Sequence, residues 1–148
     1  MALVVLAVVV LLIRRGISRQ PIALGSGFLL CSIGAHLAKT AAARPRPSGA
    51  LITAGGFSFP STSSALCIGI IATAIAAAPL IFDRRRRALA IAVGCAMAFT
   101  AGMLFVAVRV HYPTDVAAGW ALGIGVFTLC DLTTLAIWMI PGRNADGR

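Results

Sequence analysis

Four stretches of this chain carry almost no charge, and each approaches the length of a bilayer crossing: residues 21–38, 65–82, 88–108 and 116–140. A membrane-spanning helix takes about 20 mainly apolar residues, and in hydrocarbon it must bond all of its own backbone. The pattern predicts an all-α, polytopic transmembrane bundle, a single membrane domain over residues 1–148. A fifth apolar run, 2–13, has no positive residue ahead of it. It reads poorly as a secretory signal and is expected to be a helix whose first turns are missing. About five membrane helices follow, the first of them short, and the tail 141–148 is expected to fray.

With 59% hydrophobic and 11% charged residues, the bilayer is the expected solvent. A net charge of +9 would suit nucleic acid only if it formed a basic exposed face. Here the arginines stand in short clusters between apolar runs, which suits anionic headgroups, so membrane lipids and not nucleic acid are the expected partners. Cys31, Cys67, Cys95 and Cys130 all fall inside apolar runs without metal-ligand spacing, and read as small buried core residues.

If all five runs cross, one side carries Arg14, Arg15, Arg19, Arg84, Arg85, Arg86, Arg87, Arg143 and Arg148; the other carries Lys39, Arg44, Arg46 and Arg109. Nine against four makes the Arg-rich loops and the C-terminus cytoplasmic. The four outward cations all stand near helix ends, and the polar stretches 58–65 and 111–115 share their side.

In His111-Tyr-Pro-Thr-Asp115 a carboxylate follows an imidazole by four residues. It could hold one ring nitrogen and leave the other free as a nucleophile. Alone, it could equally be an interfacial histidine beside a capping aspartate. In KTAAARPRP, residues 39–47, two prolines stiffen an extended segment that carries Arg44 and Arg46 beyond Lys39. Two guanidinium forks and an ammonium suit phosphate, or simply anchor headgroups. In SFPSTSSA, residues 58–65, a helix starting near Pro60 would aim the amides of Ser61, Thr62 and Ser63 at an anion, or use its serines only as a cap.

Together and in this order, the three pieces resemble the type-2 phosphatidic acid phosphatase superfamily of membrane lipid phosphatases. Its signature runs K-x6-R-P, P-S-G-H and S-R-x5-H-x3-D. Lys39, Arg46 and Pro47 complete the first block; Pro60 and Ser61 begin the second; His111 and Asp115 keep the third's spacing. The resemblance covers about residues 22–138. Two places depart: Thr62 and Ser63 stand where the family has glycine and histidine, and Leu104 and Phe105 where it has serine and arginine.

The resemblance implies that His111 attacks phosphorus to form a phosphohistidine while Asp115 orients it. Lys39, Arg46 and the helix start at Ser61, Thr62 and Ser63 would hold the phosphate, without metal or cofactor. Arg109, one turn beyond Phe105 if the helix continues, is expected to replace the missing arginine. The function so implied is hydrolysis of a lipid phosphate or diphosphate, a polyprenyl carrier for example, at the extracytoplasmic face of a bacterial plasma membrane. The alternative is a degenerate relative that binds lipid phosphate without turnover, since a serine at position 63 cannot supply a proton as an imidazolium can. Oligomeric state is left open. His36 reads as a helix-packing residue in preference to a substitute proton donor. Asp131 is expected to make an interhelical hydrogen bond near Thr133 or Thr134, and Gly119 and Gly123 a close helix contact.

Overall fold

The computed structural model describes residues 2–76 and 83–140, and within them it is helical throughout its regular structure. The helices are α1 Ala2–Arg14, α2 Arg19–Ala42, α3 Thr62–Ala76, α4 Arg84–Ala107 and α5 Pro113–Trp138. Three of them, α2, α4 and α5, are long and apolar enough to cross a membrane. At 1.5 Å per residue, the 24 residues of α2 and of α4 reach about 36 Å, more than a hydrocarbon core of about 30 Å. The chain is an integral membrane protein built as a polytopic bundle. The expected end of the third run, 77–82, and the expected frayed tail, 141–148, lie outside the described residues.

Helix α3 is the hub, packed against α2, α4 and α5. Its contact with α5 is closest at two glycines one turn apart. A Cβ at Gly119 would overlap the Ser61 carbonyl oxygen, and one at Gly123 would lie 2.5 Å from that of Ala65. The two backbones thus approach as closely as the absence of side chains permits, as the GxxxG spacing predicts. The core between α2, α3 and α5 is filled by Leu24, Cys31, Ala65, Ile68 and Phe127, with the Phe28 and Phe127 rings edge to face at 5.0 Å.

The N-terminal end of α2 meets the C-terminal half of α5 through an ion pair, Arg19 Nη1 to Asp131 Oδ1 at 2.9 Å. This is the interhelical hydrogen bond expected of Asp131, and its donor is Arg19. Thr133 and Thr134 donate to carbonyls of their own helix. Two expectations change: Cys95 is exposed on α4 and His36 on α2, whereas Cys31, Cys67 and Cys130 are buried. At the same end as Arg19, Asp83 caps α4 by accepting from the Arg85 amide at 2.9 Å. The four arginines that follow sit at a helix N-terminus, where the dipole disfavours cations.

Candidate active site

The opposite end of the bundle is assembled by the segments that leave α2 and α4. Past α2, prolines 45, 47 and 60 and glycines 49, 55 and 56 exclude regular structure. Past α4, the helix stops at Ala107 and resumes at Pro113, which suits the first helical position and biases Tyr112 to its observed extended conformation.

Asp115, in the first turn of α5, is fully buried. A buried carboxylate persists only where every oxygen is engaged. Oδ2 accepts from the Tyr112 amide at 2.8 Å, and Oδ1 accepts from Arg44 Nη1 at 2.8 Å. The same Arg44 nitrogen donates to Thr114 Oγ1 at 2.8 Å, and its guanidinium lies 4.1 Å from the Tyr112 ring centroid. The Asp115 carbonyl accepts from the Ser61 amide at 2.9 Å. One residue therefore ties together the chain after α2, the start of α3 and the start of α5.

His111, 7% exposed, turns its Nδ1 toward Asp115 Oδ2 at 3.5 Å. That distance is proximity rather than a hydrogen bond, and Nδ1 has no hydrogen-bond partner among the described residues. Burial, then the charges of Arg46 and Lys39, push the imidazole below its usual value, against the opposing pull of Asp115. Near neutral pH the ring is a free base. It lines a pocket of about 300 Å³ together with Pro47, Ser48, Val106, Arg109, Tyr112 and Pro113.

The cations expected around it are placed as follows. Lys39 Nζ donates to the Phe57 carbonyl at 2.8 Å, tying the end of α2 to the loop before α3. Arg46 donates to the carbonyls of Val110 at 2.7 Å, Gly55 at 2.8 Å and Gly56 at 3.2 Å, so it braces the loop against the turn before His111. A guanidinium has five N–H groups, and these bonds leave two for a ligand. Arg109 does line the pocket, but by another route than expected. The helix has already ended, and Arg109 adopts a left-handed φ of 57°, which brings its Nη1 beside Gly49.

Ser61 departs from expectation. Its amide is occupied by the Asp115 carbonyl, and its hydroxyl caps α3 by accepting from the Ser64 amide at 3.3 Å, so it does not present an amide to an anion. Helix α3 starts at Thr62, and the free amides of its first turn belong to half-buried Thr62 and exposed Ser63. Arg44, which the sequence left between a phosphate fork and a headgroup anchor, is instead the partner of Asp115. Its twin Arg-Pro spacing gave the extended segment but no indication that a buried carboxylate lay 71 residues on.

A larger cavity, about 670 Å³, lies at the other end, between Arg19, Arg87, Asp131 and apolar residues of α2, α3 and α5. Its lining includes no histidine or cysteine among the described residues, and its carboxylate, Asp131, is paired with Arg19. A helical membrane bundle with a buried imidazole–carboxylate pair under a ring of cations is a frame suited to phosphate. The PAP2 superfamily profile matches residues 20–139, and the chain belongs to that superfamily, whose members are phosphatases acting on phosphorylated, lipid-like substrates. No curated protein and no solved structure matches it.

Proposed function

We propose that this protein is a lipid phosphatase whose nucleophile is His111, working at the extracytoplasmic face through a phosphohistidine. The observation that carries this reading is the convergence of a buried, uncharged His111 with Asp115 and three cations, Lys39, Arg46 and Arg109, at one end of the bundle. With Nδ1 turned to Asp115, Nε2 is the nitrogen left for attack. Nε2 bonds to phosphorus as the P–O bond to the leaving group breaks; water then bonds to phosphorus and loses a proton as the N–P bond breaks, releasing phosphate and restoring the imidazole. Asp115 stabilises the positive charge that the ring acquires, while Arg109, Lys39 and the unspent N–H groups of Arg46 balance the phosphoryl oxygens.

No second imidazole stands at position 63, and a serine hydroxyl is too weak an acid to protonate a departing alkoxide. General acid help is worth about 10² to 10⁴ in rate. A diphosphate, which expels an already stable phosphate anion, loses least by its absence, so lipid diphosphates are the favoured substrates. The same substitution supports a second reading, a family member that binds lipid phosphate and turns over slowly or not at all. Purified protein assayed for phosphate release from lipid mono- and diphosphates, beside His111→Ala, tests both. Activity that survives His111→Ala refutes the mechanism, and binding without release from any substrate favours the second reading.

A further inference from the structure

Arg44 stands out because its strongest contacts are all internal. It is the direct salt-bridge partner of Asp115, it binds the neighbouring Thr114, and it is stacked on Tyr112. We propose that Arg44 is the permanent countercharge of Asp115, a positioning residue that leaves His111 to act as a neutral imidazole instead of as the carboxylate's ion-pair partner. This rests on the phosphatase reading for its catalytic meaning, though not for its geometry.

A fully buried carboxylate needs a cation close by. Two groups compete for that place, the guanidinium at 2.8 Å and the imidazole at 3.5 Å. With Arg44 in contact, Asp115 is already compensated, and a proton on His111 would add a positive charge to a region that holds Lys39, Arg46 and Arg109. Without Arg44, the nearest way to neutralise Asp115 is to protonate His111, and a protonated ring has no lone pair for phosphorus. The charged groups that face His111 are then Lys39 from α2, Arg46 from the following loop, Arg109 from the end of α4 and Asp115 from α5. Only Asp115 favours the imidazolium, so the balance at His111 depends on how fully Asp115 is satisfied elsewhere.

The size of the effect follows from distance. Arg44 and His111 both touch Asp115, and a unit charge about 7 Å away at an effective dielectric near 20 moves a titration by up to about one to two pH units. Arg44 is 36% exposed, so about one unit is expected after screening.

The test is the titration of His111 by NMR of histidine-labelled protein in detergent, with His36→Gln used to assign the two signals. Arg44→Gln keeps a donor for Asp115 but no charge; Arg44→Lys keeps the charge. The His111 midpoint is expected to rise by about one unit in Arg44→Gln and to move by no more than a few tenths in Arg44→Lys, with the acid limb of kcat/KM following. Should Arg44→Gln not fold, Arg44→Met, which keeps an apolar stem over Tyr112, takes its place. An unmoved or lowered midpoint in a folded, uncharged variant overturns the proposal. Equal effects of the glutamine and lysine variants would do the same, since they would show a purely steric role. If wild-type protein shows these titrations but releases no phosphate from any lipid, the phosphatase reading fails and the countercharge role stands.

Discussion

The α3–α5 contact makes a prediction whose sign changes within one helix. At Gly119 an added methyl would meet the Ser61 carbonyl oxygen, the Ser64 Cβ at 2.9 Å and the Ala65 amide nitrogen at 3.2 Å. None of these can rotate away, since two are backbone atoms and the third is fixed to it. Gly119→Ala must therefore push α3 off α5. Overpacking of this kind costs about 1–3 kcal/mol. The displacement falls on Ser61, whose amide bond to the Asp115 carbonyl is 2.9 Å long, and losing that bond adds about 1 kcal/mol. The expected loss is about 2–4 kcal/mol. Gly125, on the same helix, has nothing within 4 Å of an added Cβ. There alanine should be neutral or stabilise by up to about 1 kcal/mol through helix propensity. Reversible unfolding in mixed micelles, followed by circular dichroism, gives both numbers, and the pocket's phosphate-analogue affinity should fall for Gly119→Ala alone. Equal shifts for the two variants would refute the close-contact account.

The acid limb of kcat/KM should reflect His111. Because its folded value lies below the ordinary 6.5, activity is full above that pH and declines only as pH falls through the lowered value. The same shift gives a stability term that is present above 6.5 and lost as pH falls toward the folded value, and His111→Gln should abolish this part of the pH dependence of unfolding. Arg109→Ala should weaken vanadate binding about 10- to 100-fold with little loss of stability, as a charge-assisted bond is worth about 1.5–3 kcal/mol. Arg46→Ala should lower both affinity and stability, because Arg46 also braces the Val110 turn; unchanged affinity in Arg109→Ala would remove Arg109 from the site. Ser63→His should raise the rate on a lipid monophosphate far more than on a diphosphate, and equal gains would mean that leaving-group protonation does not limit the reaction. A double-mutant cycle on Arg19 and Asp131 should return no more than about 1 kcal/mol, since the Asp131 side chain is 53% exposed.

The number and order of helices could be read from the chain because long uncharged runs between basic and proline-rich turns admit few other folds in a bilayer. Which face of each helix turns inward could not. In lipid the outer face is as apolar as the inner one, so periodicity loses its sign; Cys95 was placed in a core and His36 in a helix contact, and both are exposed. At the site, His111 and Asp115 were legible from four-residue spacing at a helix start. The partner of Asp115 was not, because the Arg44 contact joins residues far apart in sequence. Arg109 reached its expected neighbourhood by another route: α4 ends at Ala107, and a left-handed turn rather than one more helical turn carries the guanidinium to the pocket.

The triple attachment of Asp115 has a bearing on how the protein is made. Its three partners lie after α2, at the start of α3 and at the start of α5, and α5 is the last of the five helices to leave the ribosome. Until that segment is inserted, no carboxylate stands beside Arg44 or His111. A nascent chain with four helices in the bilayer would thus have its cations without the carboxylate that holds Arg44. On the proposed mechanism, biogenesis and activation would coincide in a single step, and truncation anywhere ahead of α5 would leave a basic membrane peptide without the carboxylate partner of His111.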